Sequence, residues 1–123
     1  AARESRDLSA FGGRTVEEIV AALEHAGDED SLKVIRSNSP LSMAATLAMV
    51  RAARGDRRMQ ESLSREYRFT HRATADGDFL EGVRAQIIDK DRNPRWSADA
   101  GEAHVRAMLA PLGDAELTWE DEA

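Results

Sequence analysis

From Arg84 to Trp96 the chain reads R-A-Q-I-I-D-K-D-R-N-P-R-W. Arg84, Lys90, Arg92 and Arg95 place four cations in one short run, and Trp96 adds an indole face. Guanidinium and ammonium groups at that density could hold phosphate oxygens by charge-assisted hydrogen bonds, while the ring could stack on a purine. The same run also reads as an ordinary helix C-terminus, where cations favour the negative end of the dipole. The residues alone leave both open.

No other part of the chain gathers reactive groups. His25, His71 and His104 are too far apart in sequence to share a helix face, and none belongs to an H-E-x-x-H pattern, so no metal is expected. There is no cysteine, no G-x-S-x-G elbow, no phosphate loop and no G-x-G-x-x-G. Gly12-Gly13 reads as a flexible joint, and Ser62 and Ser64 have no histidine beside them. Glu18 and Glu81 are assigned to helix caps, so no catalytic residue and no cofactor is expected. A net charge of −6 argues against a nucleic-acid partner, which needs a concentrated basic face. No apolar run reaches the ~18 residues of a membrane span, so no membrane partner is expected.

The elements that would carry the cationic run are helices. The 123 residues are 33% charged and only 5% aromatic, a mix typical of soluble helical proteins. Thr15-Val-Glu-Glu18 has the form of a capping box, followed by Val16, Ile19, Val20 and Leu23 at helical spacing up to Gly27. A short segment with Asp30 as cap carries Leu32 and Ile35. Ser39-Pro40 marks a strong start, and the run to Ala53 (Met43, Leu47, Met49, Val50) is apolar nearly all round, which predicts a central helix stopped by Gly55. Asp56 is expected to cap the next helix, with Met59, Leu63 and Tyr67 as its inner stripe and Arg57, Arg58, Glu61 and Arg65 outward, ending at Gly77. Asp78-Phe-Leu-Glu81 resembles a second capping box, with Phe79, Val83 and Ile87 inside and an end near Asp89 before the Asn93-Pro94 turn. Ser97 or Asp99 opens a last helix lined by Val105, Met108, Leu109 and Leu112 and closed by Pro111 and Gly113. The fold class expected is all-α, with about five or six short helices in a bundle-like lobe. The expected organisation is a linker or remnant of an upstream domain over 1–14, a helical domain over 15–113 and an acidic tail over 114–123. A start at Ala1 without Met, in a polar stub, leads us to expect an upstream domain. The many arginines and alanines suggest a GC-rich bacterial genome and a cytoplasmic protein.

Several stretches, in order, resemble the C-terminal part of 3-hydroxyisobutyryl-CoA hydrolases, within the enoyl-CoA hydratase/isomerase (crotonase) superfamily. They are Phe11 with Thr15-Val-Glu-Glu-Ile19, Ser39-Pro40-Leu41-Ser42, Ser64-Arg-Glu-Tyr-Arg68, Asp78-Phe-Leu-Glu-Gly-Val-Arg-Ala85, Ile88-Asp-Lys-Asp91 and Pro94-Arg-Trp96. The similarity runs from about Phe11 to Leu117. In the wider superfamily a D-F-x-E-G helix leads into a Phe-x-Glu-Lys-Arg-like stretch touching the CoA nucleotide. The resemblance puts Ile87 at the Phe position, where it brings no ring to stack, and Lys90 at the Lys position. With Arg92 and Trp96 from the cationic run, these form the expected CoA-binding set.

The resemblance also implies a division of labour. The superfamily's oxyanion hole and acid-base groups lie in a β/α core upstream of this region, and that hole supplies much of the catalysis. None of it maps onto these residues, so the chain alone is expected to be inactive. Its implied role is to cover the acyl pocket, add to the CoA groove and make subunit contacts, with an acyl-CoA substrate, its own N-terminal core and a second copy as partners. The implied reaction is thioester hydrolysis in valine breakdown. Alternatives are the same lobe of an enoyl-CoA hydratase or isomerase, or a free-standing helical interaction module.

Overall fold

The computed structural model describes residues 7–120, so the ends of the expected N-terminal remnant and acidic tail lie outside the described residues. Six α-helices and no strand occur among the described residues: α1 (Val16–Ala26), α2 (Glu29–Ser37), α3 (Pro40–Ala53), α4 (Met59–Asp76), α5 (Phe79–Val83) and α6 (Glu102–Met108). This is the all-α class read from the helical spacing. None of these helices is long and apolar enough to cross a membrane. The chain divides into two compact units, one up to Asn38 and one from Ser39 onward.

In the first unit a short 3-10 turn (Ser9–Gly12) precedes α1. Thr15 Oγ1 accepts from the Glu18 amide at 3.1 Å, as the capping box requires. The Glu18 carboxylate reaches one residue further back than the motif predicts and accepts from the Arg14 amide at 2.6 Å. Gly27 closes α1 with φ 73°, a left-handed cap that suits a residue without Cβ. Asp28, and not the expected Asp30, caps α2: it accepts from the Ser31 amide at 3.1 Å and from the Ser31 hydroxyl at 2.8 Å. Asp28 directly follows the Gly27 turn, so it stands where the helix's first orphan amides point. Ile19, Leu23 and Leu32 are the buried side chains among the described residues of this unit.

The second unit is built on α3, which packs against α4 and α6. Leu41, Ala45, Val105 and Met108 are buried together, with Ala48, Met49, Phe69 and Leu109 around them. The expectation of an α3 buried on all sides needs correction: Val50 is 55% exposed, because α4 and α6 cover only part of its circumference. Ser39 caps α3 as expected, accepting from the Ser42 amide at 3.2 Å. The start of α4 differs from expectation. Asp56 caps nothing; it accepts from the Ser62 hydroxyl at 2.5 Å and from both terminal nitrogens of Arg65 at 2.7 and 2.8 Å. Glu61 instead reaches back to the Arg57 amide at 2.9 Å.

The packed face of α4 also differs. Met59, Leu63 and Tyr67 are exposed, Met59 by 75%, while Phe69 and the guanidiniums of Arg65, Arg68 and Arg72 face the rest of the unit. Arg72 donates to the carbonyls of Met108 and Ala110 at 3.0 and 2.5 Å, satisfying the end of α6, and Arg68 grips Glu116 at 2.6 Å. Three arginines with specific acceptors outcompete a modest apolar stripe for that face, because each guanidinium finds anionic or carbonyl partners there.

The Asp56–Arg65 pair makes acid sensitivity an expected property. Hydrogen bonds from Arg65 and then Ser62 draw the Asp56 carboxyl from the usual 3.8 down to about 2. Arg84 lowers Glu81 and Asp91 in the same direction, and Arg68 lowers Glu116. Depressed folded values mean that the unfolded chain binds more protons in acid. This stabilisation is therefore complete above about pH 4–5 and is lost as the pH falls towards 2. Urea midpoints should stay level from pH 7 to 5 and then drop, and Asp56→Asn should soften that drop. An unchanged acid limb in Asp56→Asn would remove the pair from the account.

Candidate functional site

The cationic run sits where α5 ends. After Val83 the helix widens into a π turn (Arg84–Ile88), closed by the Asp89 amide donating to the Arg84 carbonyl at 2.8 Å. The chain then turns back, and the Arg92 amide donates to the Ala85 carbonyl at 2.9 Å. Lys90 and Arg92 both adopt left-handed backbone conformations, with φ 55° and 54°. For residues with a Cβ each such conformation costs on the order of 1 kcal/mol or more, so the surroundings must hold them there.

A carboxylate cage around Arg84 does the holding. Arg84 Nε and Nη2 fork onto Glu81, the second bond at 3.0 Å. Its Nη1 donates to Asp89 at 2.9 Å and to Asp91 at 2.7 Å. Glu81 also accepts from the Arg95 amide at 3.0 Å, and Asp91 accepts from the Asn93 amide at 2.9 Å. The hydrogen bonds that Arg84 donates to Glu81, Asp91 and Asp89 raise its guanidinium further above its ordinary range. Glu81 is therefore a loop clamp and not the helix cap expected from D-F-L-E. Its partner in that motif, Asp78, makes no cap bond either. Asp78 is buried, accepts from the Ser39 hydroxyl at 2.5 Å and from the Ser97 amide at 2.9 Å, and so ties the start of α3 to the return of the loop.

The four expected binding residues fall on this one loop in different settings. Lys90 and Arg92 are exposed, and neither side chain makes a hydrogen bond or ion pair among the described residues. Ile87, expected on an inner stripe with Phe79 and Val83, is 64% exposed, and Phe79 is 57% exposed. The π turn adds a residue to the turn and swings Ile87 out of register with Val83. Trp96 is half-buried against α5: a methyl group at Gly82 would lie 3.3 Å from Trp96 Cη2. Arg84, the first cation of the run, is consumed inside the cage. Sequence reasoning missed the cage, although the Glu81/Arg84 spacing of three and the alternation Asp89-Lys90-Asp91 signal it.

Chemically, the loop offers two unpaired cations beside an exposed aliphatic surface, which suits a phosphate-bearing ligand. The groove between α3 and α4, about 500 Å³, is walled by Met49, Val50, Phe69, Thr70 and the Arg65 and Glu66 side chains.

A model of the enoyl-CoA hydratase/isomerase family matches residues 4–111. The human protein named 3-hydroxyisobutyryl-CoA hydrolase, mitochondrial, is 41% identical over 90% of this chain, and its mouse counterpart 34% identical over 90%. In both cases the chain spans about 30% of the relative's length. The crystal structure of an enoyl-CoA hydratase from Rhodobacter sphaeroides superposes with a TM-score of 0.81 at 41% identity, over 97% of this chain and 39% of that one. These relatives overturn the expected bacterial cytoplasmic location, since the human and mouse proteins are named as mitochondrial. An Arg- and Ala-rich composition reflects codon usage and surface chemistry and carries no address that a sorting receptor reads. By the family match over most of its length, together with these relatives, the chain belongs to the enoyl-CoA hydratase/isomerase family.

Proposed function

We propose that this chain is the C-terminal helical lobe of an acyl-CoA thioester hydrolase of the 3-hydroxyisobutyryl-CoA hydrolase kind. In the whole protein it lies across the catalytic core, closes the acyl pocket and lends the Lys90–Arg92 loop to the CoA groove. The observation that carries this reading is the outward apolar row on α4. Met59, Leu63 and Tyr67 recur at i, i+4 spacing, yet all three are exposed. Single exposed apolar side chains are ordinary, but a periodic row marks a face built to meet another surface. The length ratio supports the same reading, since the human relative is more than three times as long as the matched stretch. Covering a thioester site excludes all but the reacting water and strengthens the electrostatics within. Phe79, Leu80, Ile87 and Ile88, all exposed, provide a second surface suited to the core or to another subunit.

A second reading keeps the lobe and changes the reaction. The Rhodobacter structure is titled an enoyl-CoA hydratase and is 41% identical, the same identity as the human hydrolase. The two are separated by assaying the full-length protein with 3-hydroxyisobutyryl-CoA, following free thiol, and with a 2-enoyl-CoA, following loss of the conjugated absorbance. Thiol release is the expected result; hydration alone would move the assignment to the second reading. The 123-residue chain by itself should turn over neither substrate, and turnover by it would end the lobe proposal. In the full-length protein Lys90→Ala should weaken CoA binding by about 1–3 kcal/mol, the usual cost of a hydrogen bond to a charged group. Unchanged affinity by calorimetry would take Lys90 out of the site.

A further inference from the structure

Resting on the CoA-loop reading above, the geometry points to Arg84 as a positioning residue that never touches the ligand but sets the posture of Lys90 and Arg92. Three observations converge on it. Lys90 and Arg92 hold left-handed backbone conformations that a free loop would leave. Most side-chain anchors of the turn lead to Arg84: it binds Asp89 and Asp91, the residues flanking Lys90, and it shares Glu81 with the Arg95 amide. The Asn93 carbonyl lies 3.4 Å from its Nη2. The acids on either side of Lys90 are thereby turned towards Arg84, which offsets part of their charge and leaves the Lys90 and Arg92 side chains without a carboxylate partner among the described residues. Without Arg84, Asp89 and Asp91 would be free to pair with Lys90 and Arg92 and cancel the field a phosphate would feel. The ring of Trp96, seated over Gly82, anchors the far end of the same turn to α5. In this arrangement Trp96 serves as an anchor and not as a base-stacking platform.

The test uses the full-length protein, calorimetric titration with CoA, and hydrogen exchange at the amides of residues 89–95. Arg84→Gln should weaken CoA roughly tenfold, on the scale of one lost charge-assisted contact, and should speed exchange in that segment. Arg84→Lys keeps the charge but not the fork and should recover part of the affinity. The decisive measurement is coupling. In a Lys90→Ala/Arg92→Ala background, Arg84→Gln should cause no further loss, because it acts only through those two side chains. If Arg84→Gln weakens CoA equally in both backgrounds, or exchange at 89–95 is unaltered, the positioning role is overturned while the loop reading stands. If Lys90→Ala/Arg92→Ala itself leaves CoA affinity unchanged, both fall.

Discussion

Replacing Met59 by Glu and Leu63 by Lys should leave the isolated chain about as stable as before and should cripple the full-length protein. In the chain alone both positions face water, Met59 by 75% and Leu63 by 40%, so the cost should stay within about 1 kcal/mol. Glu at the first turn of α4 favours the helix dipole, and Glu followed by Lys four residues later forms a favourable pair, which offsets part of that cost. If the row docks on a catalytic core, the same changes remove burial worth about 1.5–3 kcal/mol per side chain and push charges into an apolar interface. Roughly 3 kcal/mol or more should then be lost, read as a lower urea midpoint and loss of thioesterase activity. Equal, small effects in both settings would mean that nothing covers α4, and the lobe proposal would fail with them. The chain alone should also bind a hydrophobic dye at this face, and the double variant should abolish that binding.

Asp78→Ala is the second large expected effect. Asp78 is buried and accepts from the Ser39 hydroxyl and the Ser97 amide, joining the start of α3, the start of α5 and the return of the chain after the loop. Truncation leaves two donors without acceptors and opens a small void. Stranding a buried donor costs about 1–3 kcal/mol, and since the Ser39 hydroxyl is buried while Ser97 is exposed, a total of roughly 2 kcal/mol is expected. The denaturation slope should be unchanged, since the surface exposed on unfolding is nearly the same. Asp78→Asn keeps one acceptor oxygen and should lose about half as much. A cost below about 0.5 kcal/mol for Asp78→Ala would show that water or a shifted Ser39 replaces the carboxylate. The variant should also loosen the loop that carries Lys90, because Ser97 closes it.

What the amino-acid sequence by itself determined is the local layer. The helix starts at Thr15 and Ser39, the stops at Gly27 and Gly77 and the apolar line of Val105 and Met108 all follow from capping chemistry and helical periodicity, which act within a few residues. The ordered stretches from Phe11 to Trp96 likewise pointed to the family before any packing was known. Tertiary structure alone decided which face of each helix is covered. The spacing of Met59, Leu63 and Tyr67 defines a stripe, but periodicity does not say whether a neighbour from this chain or another surface meets it. Arg68 and Arg72, with acceptors on α6 and its tail, and Arg65, paired with Asp56, claimed the opposite face. Tertiary structure also turned two presumed caps into ties: Glu81 and Asp78 stand at cap spacing in the sequence, but their oxygens meet Arg84, Ser39 and Ser97. Those partners lie up to 39 residues away, and a short motif carries no information about groups that only the fold brings within 3 Å.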